Sequence, residues 1–160
     1  MILWVRHGQS TWNVMDRLQG HEPSPPLTDL GREQAAAAAE ALADAEVVRV
    51  LSSPAVRALE TAQIIAGRLG LEVDIEPLLL EKGLEEEMTN VLVRVRRLLD
   101  LDLPDHTVAV SHGDTIGLAV GLLSGQRPEL PGNGSITRVD PATREVTVER
   151  PLVDPRGARP

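Results

Sequence analysis

The sequence predicts an α/β fold, a three-layer α/β/α sandwich built on a largely parallel sheet. Two observations carry this. Residues 2–5, 47–51 and 107–110 are short apolar runs rich in branched side chains and bounded by polar or breaking residues, as strands buried on both faces are. Between them lie longer segments with apolar residues at helical spacing, and strands that alternate with helices fold as parallel units covered on both sides.

The first strand, residues 2–5, holds Trp4, which belongs to the core. The first long helix opens at Thr28 and Asp29, good capping residues, and continues through the alanine-rich stretch 35–43. After the second strand, Ser52 or Ser53 caps a helix with Pro54 in its first turn and Ala55, Ala58, Ala62, Ile65 and Leu69 on one face. Residues 72–75 form a short strand. A third helix carries Met88, Val91, Val95, Leu98 and Leu99 on its apolar face, with Arg94, Arg96 and Arg97 on the rest of its circumference. A fourth follows Gly113 through Leu123, and residues 135–140 and 145–149 make a hairpin around Pro141. Residues 1–150 are expected to form one domain, and 151–160 a flexible tail.

Composition narrows the function classes. The 160 residues include 24 acidic and 16 basic side chains, a formal charge of −8, no cysteine and only two aromatic residues, Trp4 and Trp12. No disulfide framework or cysteine metal site is possible. The sequence pI near 5.0 and the lack of basic runs or stacking platforms argue against nucleic acid as a partner. No apolar stretch is long enough to span a membrane and no targeting segment is visible, so a cytoplasmic location is expected.

Three segments follow the three main strands: Arg6-His7-Gly8-Gln9-Ser10-Thr11-Trp12-Asn13, Ser52-Ser53-Pro54-Ala55-Val56-Arg57 and Ser111-His112-Gly113-Asp114. In an open α/β sheet, ligands bind beyond the carboxyl ends of the strands, so two histidines and two arginines are expected to meet there. Arginine forks match phosphate oxygens, and a neutral imidazole can attack phosphorus when its other ring nitrogen is held. Nearby arginines keep that imidazole unprotonated. Gly8 and Gly113 would let backbone approach an anion closely. The group suits phosphoryl transfer without a metal.

The stretches RHGQSTWN, PLTDLGREQA, SSPAVRALETAQ and VAVSHGDTI, in this order, resemble the histidine phosphatase superfamily, also called the phosphoglycerate mutase-like family. The likeness runs from residue 1 to about residue 124, and NGSIT at 133–137 is similar to the family's closing strand. The resemblance implies that His7 is a nucleophile forming a phosphohistidine, and that Arg6, Arg57 and His112 bind the phosphoryl oxygens. Asn13 and the backbone of Gly113 would complete the pocket. For the general acid the segment Leu80-Glu81-Lys82-Gly83-Leu84-Glu85 looks like the family's acid loop, which favours Glu81, then Glu85, with Asp114 third. Only 31 positions separate Glu81 from His112, where the family has a longer capping insertion, so an open pocket with few substrate-reading residues is expected.

The function expected is hydrolysis of phosphomonoesters, with small phosphorylated metabolites as partners and neither cofactor nor metal. Rival readings are a cofactor-dependent phosphoglycerate mutase, a protein-phosphohistidine phosphatase and a non-catalytic module that binds phosphorylated ligands. His21 and Glu22 read as solvated loop residues, Glu85-Glu86-Glu87 as a solvated helix start, and Trp12 as packing beneath the first motif's loop. The Asn133-Gly134-Ser135 glycosylation pattern reads as chance. The oligomeric state is left open.

Overall fold

A computed structural model describes residues 1–127 and 129–153. Six strands form one sheet in the order β3-β2-β4-β1-β5-β6. They are β1 (Ile2–Arg6), β2 (Arg49–Ser52), β3 (Val73–Ile75), β4 (Thr107–Ser111), β5 (Ile136–Val139) and β6 (Val146–Glu149). The first four are parallel, with β1 paired to β4 from Ile2–Thr107 to Arg6–Ser111. The last two form the expected antiparallel hairpin, β5 closing against β1.

Alternation along the strands gives the sheet two buried faces. Leu3, Val5, Val50, Val108 and Val110 point to one side, where they pack on Ala38, Ala39 and Leu42 of one helix and Ala58, Ala62 and Ile65 of another. Those helices are α2 (Asp29–Ala41) and α3 (Val56–Leu69). Trp4, Leu51 and Ala109 point to the other side, against α4 (Met88–Leu99) and α5 (Gly113–Ser124). The three-layer α/β/α prediction is therefore met. A short α1 (Thr11–Val14), which no sequence pattern announced, completes the helices.

Caps explain the helix limits. Thr28 accepts from the Gly31 amide at the start of α2, as its residue type suggests. At α3 the expected serine cap is absent: Ala55 is the capping residue and makes no side-chain bond, while Pro54 lies before the helix. Ser53 has a different partner, described below. β2 starts two residues later than expected, because Glu46 adopts a left-handed turn (φ 55°) and Val48 faces solvent. The tail expected at 151–160 lies, from residue 154 onward, outside the described residues. Among the described residues no helix is long and apolar enough to cross a membrane.

Candidate active site

Because β1, β2 and β4 are parallel neighbours, their carboxyl ends bring the three motif segments together, as their sequence positions imply. The amide of His7 donates to the Ser111 carbonyl (3.1 Å), extending the β1–β4 ladder to the histidine itself. His7 and His112 consequently stand edge to face, with ring centroids 5.2 Å apart. Both rings and the Arg57 side chain are fully buried.

Hydrogen bonds orient both rings, and at His7 they also fix the tautomer. His7 Nδ1 lies 2.7 Å from the Gly8 carbonyl, which can only accept, so Nδ1 carries the proton and Nε2 a free lone pair. That Nε2 is buried and has no partner among the described residues. Burial above all, together with Arg6 and Arg57, lowers the His7 pKa to about 3, although the Gly8 bond works against this. The ring is therefore neutral at physiological pH. His112 is held in the opposite sense: Nε2 is 2.8 Å from Ser53 Oγ, and Nδ1 is unpartnered, 3.8 Å from Glu81 Oε1. Burial, then the neighbouring His7, Arg57 and Arg6, keep His112 well below the usual histidine range. When the Ser53 hydroxyl donates to Nε2, the neutral His112 ring carries its proton on Nδ1, toward Glu81.

The arginines line the same space. Arg6 donates through Nη1 to the Pro131 carbonyl (2.8 Å), while its buried Nε has no partner. Arg57 donates to the carbonyls of Glu22 (2.9 Å) and Gly20 (3.2 Å) and to Glu81 Oε2 (3.1 Å). Burial lowers the pKa of both guanidinium groups, and the acidic neighbours Glu81 and Asp114 oppose it. Asn13 lines the pocket beside Arg6 and Glu81, its Oδ1 taken by the Ser10 amide (2.9 Å) in a capping box. Gly113 begins α5 directly after His112, so the positive end of that helix points into the site.

Of the three acid candidates, Glu81 alone joins the histidines. Its carboxyl is 18 % exposed, and burial pushes its pKa up to about 7 against the opposing Arg57, with Asp114 adding to the rise. Asp114 also lines the pocket, but its oxygens accept from the amides of Thr115 (2.7 Å) and Lys82 (3.2 Å). Glu85 is exposed and lines an outer groove with Trp12, Arg17 and Leu84. The nitrogen and oxygen donors of His7, Glu81 and His112 lie within 4.8 Å of one another, a set that could grip a divalent ion. The two guanidinium groups beside them oppose a further cation and suit an anion.

Several expectations are corrected. One contact was not expected from the sequence: the segment after α1 folds back, and its Gly20 and Glu22 carbonyls accept from Arg57. His21 is exposed in its loop, as expected, but it is not isolated there: its ring lies over Gly83, and Nε2 is 3.4 Å from Glu86 Oε1. Glu86 pairs with Arg94, so the acidic run is only partly solvated. Trp12 does not pack beneath the motif loop; it is half-buried at the groove, with the Arg17 guanidinium 3.9 Å above its ring. Gly8 is small for another reason than an approaching anion, since a Cβ there would stand 2.2 Å from the Gly31 carbonyl oxygen. At Gly113 a Cβ would make only ordinary contact with Arg6.

Sequence reasoning also missed Thr61, whose Oγ1 accepts from the Gly8 amide (3.0 Å), and Asn133, whose side chain donates to the His7 carbonyl (3.1 Å). Thr61 lies four residues after Arg57, on the same helical face, and that spacing was the available signal.

A family model described as histidine phosphatase superfamily (branch 1) matches residues 2–90. The chain is 30% identical over 181 aligned positions to the probable phosphoglycerate mutase GpmB of Photorhabdus laumondii, covering 87% of this chain and 84% of the relative. It is 43% identical over 83 positions to the glucosyl-3-phosphoglycerate phosphatase of Mycolicibacterium vanbaalenii, covering 52% of this chain and 36% of that one. Among solved structures, a mycobacterial glucosyl-3-phosphoglycerate phosphatase complexed with VO3 superposes with a TM-score of 0.76 at 26% identity, over 93% of this chain and 96% of that one.

Proposed function

The chain belongs to the histidine phosphatase superfamily, and from that premise we propose that it is a metal-independent phosphatase hydrolysing small phosphomonoesters through a phosphohistidine on His7. The observation that carries the reading is the buried, unpartnered Nε2 of a neutral His7 among two guanidinium groups. A nucleophile needs a free lone pair, and its target needs its negative charge offset.

The steps follow from the geometry. The phosphoryl oxygens are held by Arg6, Arg57, the Nδ1–H of His112, the Asn13 amide and the Gly113 backbone. His7 Nε2 attacks phosphorus, and the bond to the ester oxygen breaks. Glu81, protonated near neutral pH by virtue of its raised pKa, gives its proton to the departing oxygen. The resulting carboxylate then takes a proton from water as that water attacks phosphohistidine, the P–N bond breaks, and inorganic phosphate leaves. No cofactor enters either step. Residues 1–150 are taken as one histidine phosphatase domain.

The names of two relatives indicate a phosphorylated glycerate derivative as substrate, which supports a small phosphomonoester here. The likeness to a probable mutase favours a second reading, return of the phosphoryl group to a phosphoglycerate. Incubation with 3-phosphoglycerate and 2,3-bisphosphoglycerate separates the two, since a mutase isomerises with little free phosphate.

The decisive test uses p-nitrophenyl phosphate. Turnover abolished in His7→Ala, unaffected by chelator, and accompanied by a phosphorylated His7 peptide after alkaline quench is the expected result. Glu81→Gln should slow phenyl phosphate, whose leaving group needs a proton, by about 100-fold more than p-nitrophenyl phosphate. Full turnover by His7→Ala would discard the mechanism.

A further inference from the structure

Arg94 lies on α4 at the spacing of its buried face, one turn from Val91 and Leu98, and its side chain is only 15 % exposed. Nothing about phosphate binding calls for it, since its guanidinium does not line the pocket. It turns to the loop between the 3-10 turn Pro77–Leu79 and α4. Nη2 donates to the carbonyls of Leu80 (3.1 Å) and Glu81 (3.2 Å), and both terminal nitrogens reach Glu86 (2.5 and 3.2 Å). Glu86 in turn accepts from the Gly83 amide (3.0 Å). One planar group thus pins both ends of the six-residue stretch from Glu81 to Glu86.

We propose that Arg94 is the positioning residue of the general acid: its fork fixes the Leu80–Glu81 backbone and so sets where the Glu81 carboxyl meets the leaving oxygen. The inference rests on Glu81 being that acid. A single flexible loop residue could not hold a carboxyl against Arg57 Nη2 on one side and His112 Nδ1 on the other, and the positioning of a proton donor to within about 1 Å is worth up to roughly 100-fold in rate. The clamp needs a guanidinium. Lysine keeps the charge but cannot serve two carbonyls and a carboxylate in one plane.

The same clamp keeps water from the carboxyl. Glu81 is faced by Arg57 from α3, Arg6 from the end of β1, Asp114 from the start of α5, and the rings of His7 and His112. A loosened loop would hydrate Glu81 and relieve the burial that keeps it protonated near neutral pH.

The test compares phenyl phosphate with p-nitrophenyl phosphate in wild type, Arg94→Lys, Glu86→Gln, Glu81→Gln and the Glu81→Gln/Arg94→Lys double variant. Arg94→Lys should lower the phenyl-to-nitrophenyl ratio of kcat by about ten-fold, and Glu86→Gln, which removes half of the fork's anchor, by a smaller factor in the same direction. In Glu81→Gln, adding Arg94→Lys should change the ratio by less than about two-fold, since no proton donor remains to position. The alkaline limb of the phenyl phosphate profile should move to lower pH in Arg94→Lys. A ratio that Glu81→Gln lowers and Arg94→Lys leaves unmoved overturns this inference alone. A ratio that Glu81→Gln leaves unmoved overturns the acid assignment and this inference with it. If Arg94→Lys fails to fold, Glu86→Gln decides by the same ratio.

Discussion

Gly8→Ala tests whether the approach of α2 to the first motif holds the nucleophile in place. Gly8 has no positive φ, so the cost of a methyl group is purely steric. The new Cβ would stand 2.2 Å from the Gly31 carbonyl oxygen, and both partners are backbone. Reaching the lower bound of real contacts requires a relative shift of about 0.8 Å. Neither side can yield alone: Gly31 is locked at the start of α2 by Thr28, and a Cβ on Gly31 would itself lie 2.1 Å from the Gln9 carbonyl oxygen. Overpacking of this kind costs roughly 3 kcal/mol, a fall in Tm of about 6–12 °C for a chain of this size. The shift also reaches chemistry, because the Gly8 carbonyl holds His7 Nδ1 at 2.7 Å. A nucleophile displaced by nearly 1 Å should lose about 100-fold in kcat. Differential scanning calorimetry and p-nitrophenyl phosphate turnover measure the two effects. Gly67→Ala, at an exposed site on α3 with no atom within 4 Å of the added Cβ, is the control and should gain about 1 kcal/mol with activity kept. A Gly8→Ala protein with wild-type Tm and wild-type turnover would refute the reasoning.

Other outcomes follow from the same geometry. His7, held neutral by burial, should show no protonation by NMR between pH 8 and about pH 4, given its pKa of about 3. Glu81 binds its proton more tightly folded than unfolded, so its contribution to stability is complete below its ordinary 4.5 and is lost as pH rises through about 7. The urea midpoint of wild type relative to Glu81→Gln should therefore decline between pH 5 and 8; a constant difference would contradict the raised pKa. Added zinc should not raise p-nitrophenyl phosphate hydrolysis, because the two guanidinium groups beside His7, Glu81 and His112 oppose a further cation. Activation by zinc would count against the proposed nucleophile.

The sheet and the meeting of the motifs were legible because they depend on local signals. Branched runs mark buried strands, and residues directly after parallel strands share one edge of the sheet whatever lies between. The partners of those residues were less legible, since they depend on contacts across the fold. Ser53 has the chemistry of a helix cap and sits where a cap belongs, yet its hydroxyl meets His112, 59 residues away. The size limit on Gly8 comes from a helix that begins 21 residues later. Arg94 carried a local signal, its spacing from Val91 and Leu98, which its charge outweighed in a pattern sorted by hydropathy. The fold-back after α1 had no periodic pattern at all, and its backbone carbonyls, which carry no residue identity, do the covering of Arg57.

The stacking of Arg17 on Trp12 gives the protein an internal optical probe. With no tyrosine, ultraviolet emission comes from two indoles only. Trp4 is sealed between the sheet and the α4 and α5 side, so its emission is a fixed blue background. Trp12 stands at the groove beside the pocket, and any anion that draws the Arg17 guanidinium off its ring changes the colour and intensity of that one lamp. Pocket occupancy is thereby readable in the unlabelled wild-type chain, with Trp12→Phe as the dark reference.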